Sequence, residues 1–78
     1  MEFQLMSAKH WYDFKQILKD YPQIADEFKV RIVDLEDNDS EVYIMINTLE
    51  DLIKLIDIVD CGVVFNGDEI MIYDDYIE

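Results

Sequence analysis

Among its chemically versatile side chains the sequence holds one histidine, His10, one cysteine, Cys61, and nineteen carboxylates. His10 stands beside Trp11 at an expected helix start, where it could serve as a base or a ligand. No serine, cysteine or second histidine forms a recognisable constellation with it, so it reads as a surface or boundary histidine. Cys61 has Asp57 and Asp60 close by in sequence. A nucleophilic thiol wants a basic neighbourhood, so Cys61 reads as a half-buried packing thiol. The densest acid run, Asp34 to Glu41, places oxygen ligands at alternate positions, as calcium prefers. With Asp37, Asp39 and Glu41 as the first, third and fifth ligands, Val42 falls where an EF-hand needs glycine and Thr48 where it needs glutamate, so a solvated loop is expected. No glycine-rich phosphate loop is present. The sequence therefore predicts no catalytic residue, no metal and no cofactor.

What remains is charge. Nineteen acids against six bases give a net −13. Residues 1–31 hold five of each, which cancel, whereas residues 32–78 hold the other fourteen acids and only Lys54. Acids also interleave with apolar and aromatic residues: Asp34-Leu35-Glu36, then Glu69 with Met71 and Tyr73, then Asp74-Asp75-Tyr76-Ile77-Glu78. Duplex DNA carries about one charge per ~1.7 Å of axis, and carboxylates spaced along strands and loops can imitate that comb and occupy a Lys/Arg-lined groove. The expected contact set is Asp34, Glu36, Asp37, Asp39, Glu41, Asp68, Glu69, Asp74 and Asp75, with Tyr73 and Tyr76 as apolar anchors. The expected partner is a basic nucleic-acid-binding protein such as a defence nuclease; nucleic acid itself and anionic membranes are repelled. The rival expectation is a plain interaction domain, in which an exposed sheet face with Val64, Met71 and Tyr73 forms a homodimer and the acids only solvate it.

At 78 residues and 51% hydrophobic composition, one domain with one core is expected, too apolar to stay disordered. A lone cysteine, no signal-peptide pattern and no run of ~20 apolar residues lead to a cytoplasmic expectation.

The elements that must position the acids are legible from periodicity. Residues 2–6 alternate. Ser7 can cap a helix from Ala8 to about Tyr21, ended by Pro22, with Trp11, Phe14, Leu18 and Tyr21 as its stripe and Ile17 beside them. Phe28, Val30 and Ile32, then Val42, Ile44 and Ile46, make a hairpin with a longer loop. Asn47 and Thr48 offer two capping-box registers, with Glu50 and Asp51, for a helix from Leu49 to about Asp60. Its inner face is expected to be Leu49, Leu52, Ile53, Ile56 and Val59, flanked by Leu55, with Gly62 as the left-handed stop. Asn66-Gly67 predicts a type I′ hairpin pairing Phe65 with Asp68. The fold class is α+β, (β)αββαββ, an antiparallel sheet with two helices on one face. If residues 2–6 pair, the first six elements follow a ferredoxin-like order with one extra strand. If they do not, two αββ units share the sheet.

In the stretch Asn47-Thr48-Leu49-Glu50-Asp51-Leu52-Ile53 and the ending from Glu69 to Glu78, the chain resembles small acidic proteins of phages and mobile elements of low-GC Gram-positive bacteria, some of which are DNA-mimic anti-CRISPR or anti-defence inhibitors. The resemblance covers about the last 32 residues, carries no site residue across, and implies an inhibitor of a nucleic-acid enzyme.

Overall fold

The computed structural model describes residues 1–11 and 13–74. Its strands are β1 (Glu2–Ser7), β2 (Val30–Asp34), β3 (Ser40–Met45), β4 (Gly62–Asn66) and β5 (Glu69–Tyr73). Its helices are α1 (Ile17–Asp20, entered through a 3₁₀ turn Phe14–Gln16), α2 (Gln23–Glu27) and α3 (Leu49–Val59). The class is α+β, with the sheet order β2-β3-β1-β5-β4. Residues 2–7 do pair, so the chain alternates strands and helices in the ferredoxin-like sequence up to β4, with α1 and α2 in place of one first helix, but the sheet order departs from that fold because the extra strand β5 is wedged between β1 and β4.

That wedge corrects one expectation, because the sheet is mixed. β1 runs antiparallel to β3 but parallel to β5, with Leu5 opposite Ile70 and Ser7 opposite Ile72. The tight turn after β4 forces the reversal: a strand returning between β4 and β1 must run opposite to β4 and hence along β1. Leu5, Val42, Ile44, Ile70 and Ile72 all point to the face covered by the helices, where they meet Ile17, Ile24, Leu55 and Val59 in the core.

The first helix departs most from expectation. No helix starts at Ala8; Ser7 ends β1 with its side chain fully buried, and the chain bends at Ala8, Lys9 and Trp11 ahead of the 3₁₀ turn. Pro22 does end α1, but it also opens α2 as that helix's N-cap. Trp11 leaves the expected stripe for solvent, and Ile17 takes its centre.

α3 begins with the Thr48 register of the capping box: Thr48 Oγ1 accepts from the Asp51 N–H at 3.2 Å, and Asp51 Oδ2 accepts from the Asn47 and Thr48 N–H groups. The left-handed stop is Asp60, at φ 49°, not Gly62, which starts β4. The buried side is Leu55 and Val59 with Leu52 and Ile58 beside them, while Leu49 (71%), Ile53 (55%) and Ile56 (44%) are exposed. The expected face is rotated by roughly 100°, one residue step. Apolar residues cover well over half of this helix's circumference, more than the strip it buries, so periodicity alone does not fix which part faces inward; α2 lies alongside, with Lys54 paired to Glu27 at 3.3 Å.

The β4-β5 turn is also resettled. Phe65 faces Ile70, Asn66 faces Glu69, and Gly67-Asp68 form the loop. Only Gly67 is left-handed, at φ 64°, as a type II′ turn requires of its first loop residue. The two-residue slip from the expected pairing leaves every side chain on its expected face, since the strand period is two. A Cβ at Gly67 meets no atom within 4 Å, so Gly67→Ala isolates backbone strain. It is expected to cost about 1 kcal/mol by urea denaturation.

No helix among the described residues is long and apolar enough to cross a membrane.

Candidate partner-binding surface

One end of the sheet, where β1 and β5 finish and the β2-β3 loop lies, concentrates the polar chemistry. Ser7 and Ser40 are the buried polar residues there, and the register of β1 on β3 places them side by side. Ser40 Oγ donates to Asp13 Oδ1 at 2.8 Å and accepts the Lys15 N–H at 3.0 Å. Ser7 Oγ contacts both Asp74 oxygens at 2.8 and 2.7 Å and accepts the N–H groups of Lys9 and His10. The two hydroxyls bolt the connection after β1 onto the sheet.

Hydrogen bonds from Gln16 and Ser40 hold the Asp13 carboxyl below the usual range. A lowered folded-state value stabilises above the unfolded value, and that stability is lost as pH falls through the folded one. Ser40→Ala removes one of the two donors and leaves the Lys15 N–H to seek water, at a cost of about 1 kcal/mol. The acid-unfolding midpoint, followed by circular dichroism, is expected to move to higher pH in this variant.

The loop beyond Asp34 presents Glu36, Asp37 and Asp39. Asp37 and Asn38 both take left-handed φ, 60° and 67°, a conformation that Asp and Asn accept more readily than most residues. Asp34 pairs with Lys15 at 3.4 Å. Glu41 and Glu69 lie on the sheet face opposite the helices, Glu41 accepting from Gln4 Nε2 and the Tyr43 hydroxyl. Asp68 sits in the β4-β5 turn at the far end, its carbonyl accepting the Gln4 N–H at 2.9 Å. Tyr73 is half-exposed. Asp75 and Tyr76 lie outside the described residues. The structure thus gathers Asp34, Glu36, Asp37, Asp39 and Asp74 at one end and separates Asp68 and Glu69 from them. Asp74 is occupied as the partner of Ser7 and Lys9.

Bases are distributed as sharply. Lys9 and His10 engage Asp20, Lys15 engages Asp34, Arg31 engages Glu2 and Lys54 engages Glu27. Arg31 also lies 4.3 Å from the centre of the Tyr43 ring, and its hydrogen bonds hold the Glu2 carboxyl low. No ion pair among the described residues reaches Glu36, Asp37, Asp39, Glu41, Asp68 or Glu69.

One cluster has no counterpart in the sequence reading. His10 Nε2 lies 2.7 Å from Asp20 Oδ2, and ligand atoms of His10, Asp20 and Asp74 lie within 4.8 Å of one another. These are the described residues that could hold a metal ion, although His10 and Lys9 already engage Asp20. Their separation along the chain hides them; only the fold joins the turn after β1, the end of α1 and the end of β5.

Next to this cluster a shallow groove of about 950 Å³ is lined by Tyr21, Asp60, Cys61, Val64, Tyr73 and Asp74 among others. Burial, with Asp74 adding to it, pushes the Cys61 thiol up. Burial, with Cys61 next, raises Tyr21 to about 12. Both shifts favour the protonated forms.

No family model matches the chain, and no curated protein or solved structure shows significant similarity to it.

Proposed function

We propose that this is a non-catalytic, cytoplasmic acidic binding protein that inhibits a bacterial defence nuclease by occupying its nucleic-acid groove, in the manner of a DNA-mimic anti-CRISPR protein. The pairing of charges supports the reading most directly: Lys9, Lys15, Arg31 and Lys54, four of the six Lys and Arg residues, pair with Asp20, Asp34, Glu2 and Glu27, and no ion pair among the described residues reaches the loop acids Glu36, Asp37 and Asp39. Glu41 extends this set onto the open sheet face. The phage-protein resemblance selects a nuclease over other basic targets, and the host cytoplasm as the place of action.

The test is capture from a bacterial lysate on the immobilised protein at low and high salt, followed by competition between the captured enzyme's duplex and this protein. Screening shortens from ~10 Å at 0.1 M to ~3 Å at 1 M, so affinity is expected to fall with salt. A folded domain condenses fewer counterions than a duplex, so its slope is expected to be shallower than that of the displaced DNA, near −0.9 per phosphate. A flat salt response, or simultaneous binding with DNA, removes the mimic reading.

The open sheet face supports a second reading. Met6, Met45, Met71, Val64 and Tyr73 share it, and no helix among the described residues covers them, a surface suited to homodimerisation. In that case sedimentation shows a dimer that strengthens with salt, as repulsion between two chains of net −13 is screened.

A further inference from the structure

We propose that the outer edge of β4, with the Leu49, Ile53 and Ile56 flank of α3 beside it, is a strand-addition site for an extended basic segment of a partner protein. This surface is separate from the β2-β3 loop, and the proposal stands whether or not the loop acids imitate DNA.

Among the described residues β4 pairs only with β5. In a hairpin closed by a two-residue loop, hydrogen-bonded pairs alternate from the loop outward. Asn66, Val64 and Gly62 therefore turn their N–H and C=O groups to β5, and Phe65 and Val63 turn theirs outward. Those outward groups have no backbone partner among the described residues. Natural edge strands are guarded by charge, proline or bulges. The other edge, β2, carries Arg31 and follows Lys29, whereas β4 reads Gly-Val-Val-Phe-Asn, with Val64 49% and Phe65 41% exposed.

The helix supplies the second wall. Lys54 marks the side of α3 that faces α2, through Glu27. At about 100° per residue, Leu49, Ile53 and Ile56 fall on the opposite flank of the buried Leu55 and Val59. α3 leads from the end of β3 to the start of β4, so that flank looks toward the β4 side of the sheet. An added strand would set alternate side chains against it.

Charge selects the occupant. Asp60 stands just before β4 and Asp68 just after it, while Lys54 is paired to Glu27 on the α2-facing side of the helix, where Asp57 also lies. A second copy docking strand to strand would bring Asp60 and Asp68 against their counterparts. A segment with apolar residues at alternate positions and Lys or Arg at its ends satisfies both the edge and the rim.

The probe is a synthetic peptide of alternating valine and threonine flanked by lysines, with amide hydrogen exchange read by NMR. Exchange at Val63 and Phe65 is expected to slow on the order of tenfold when it binds. A peptide N-methylated at alternate residues and a glutamate-flanked peptide are expected to have no effect. Phe65→Lys is expected to weaken binding of the lysine peptide, whereas Asp37→Lys with Asp39→Lys leaves it in place. Unchanged exchange at Val63 and Phe65, or equal slowing by either control peptide, overturns the proposal. Slowing on raising the protein concentration alone assigns the edge to a second copy and overturns it too. These arms use the unaltered protein, so they decide the matter even if Phe65→Lys fails to fold.

Discussion

Lysine at both Asp37 and Asp39 is expected to weaken binding to a basic target by about tenfold or more at 0.1 M salt, and to leave the fold intact. Neither carboxylate is engaged by a base among the described residues, so their reversal breaks no ion pair. It also relieves part of the self-repulsion of a chain at net −13. The melting temperature should hold or rise. Asp37 sits at φ 60°, where lysine is less comfortable than aspartate; Asp37→Asn keeps the local preference and removes only the charge. Titration against the identified target across salt checks the result, and the difference between variant and parent should vanish near 1 M. Reversal at Asp74 is no clean companion test, because Ser7 and Lys9 hold that carboxylate; Glu69 is the better second site. If binding survives reversal at Asp37, Asp39 and Glu69 together, these acids are not the contact.

Leu5→Ala is expected to remove about 2–5 kcal/mol of unfolding free energy, a large share of the total, and to lower the melting temperature steeply. Leu5 is completely buried on the central strand, opposite Val42 on one side and Ile70 on the other. Truncating a buried leucine costs about 2–5 kcal/mol, while a domain of this size has a total of roughly 4–12 kcal/mol, drawn down further here by charge repulsion. Denaturation followed by circular dichroism and intrinsic fluorescence checks it. Ile70→Ala should do the same, and the double variant should cost less than the sum, since the two positions are neighbours in the register and share one cavity.

Strands were the most legible part of the chain, because alternation carries its own face assignment: Val42, Ile44 and Ile46, and likewise Ile70 and Ile72, are buried as their pattern requires. Even the two-residue shift of the turn after Asn66 leaves the faces undisturbed. Helices were harder. α3 offers apolar residues on two adjoining stripes, and only α2 beside it decides which is covered. The expected first helix failed because Ser7 satisfies the turn after β1 as a buried hydroxyl, a role no local pattern announces. The candidate surface was legible in composition but not in layout. That acids crowd residues 32–78 is plain from the sequence; that Asp74 is anchored, and that Asp68 lies at the opposite end from Asp37, depends on which strands neighbour each other.

The wedging of β5 between β1 and β4 also constrains how the molecule comes into being. Pairs such as Leu5 with Ile70 join residues from opposite ends of the described chain, and contacts of that sequence separation delay folding. During synthesis β1, β2 and β3 can assemble early, but β4 has no place to dock until β5 has left the ribosome. Until then the apolar side of α3 and the half-built sheet stay uncovered, a window in which the strong negative charge keeps nascent chains apart.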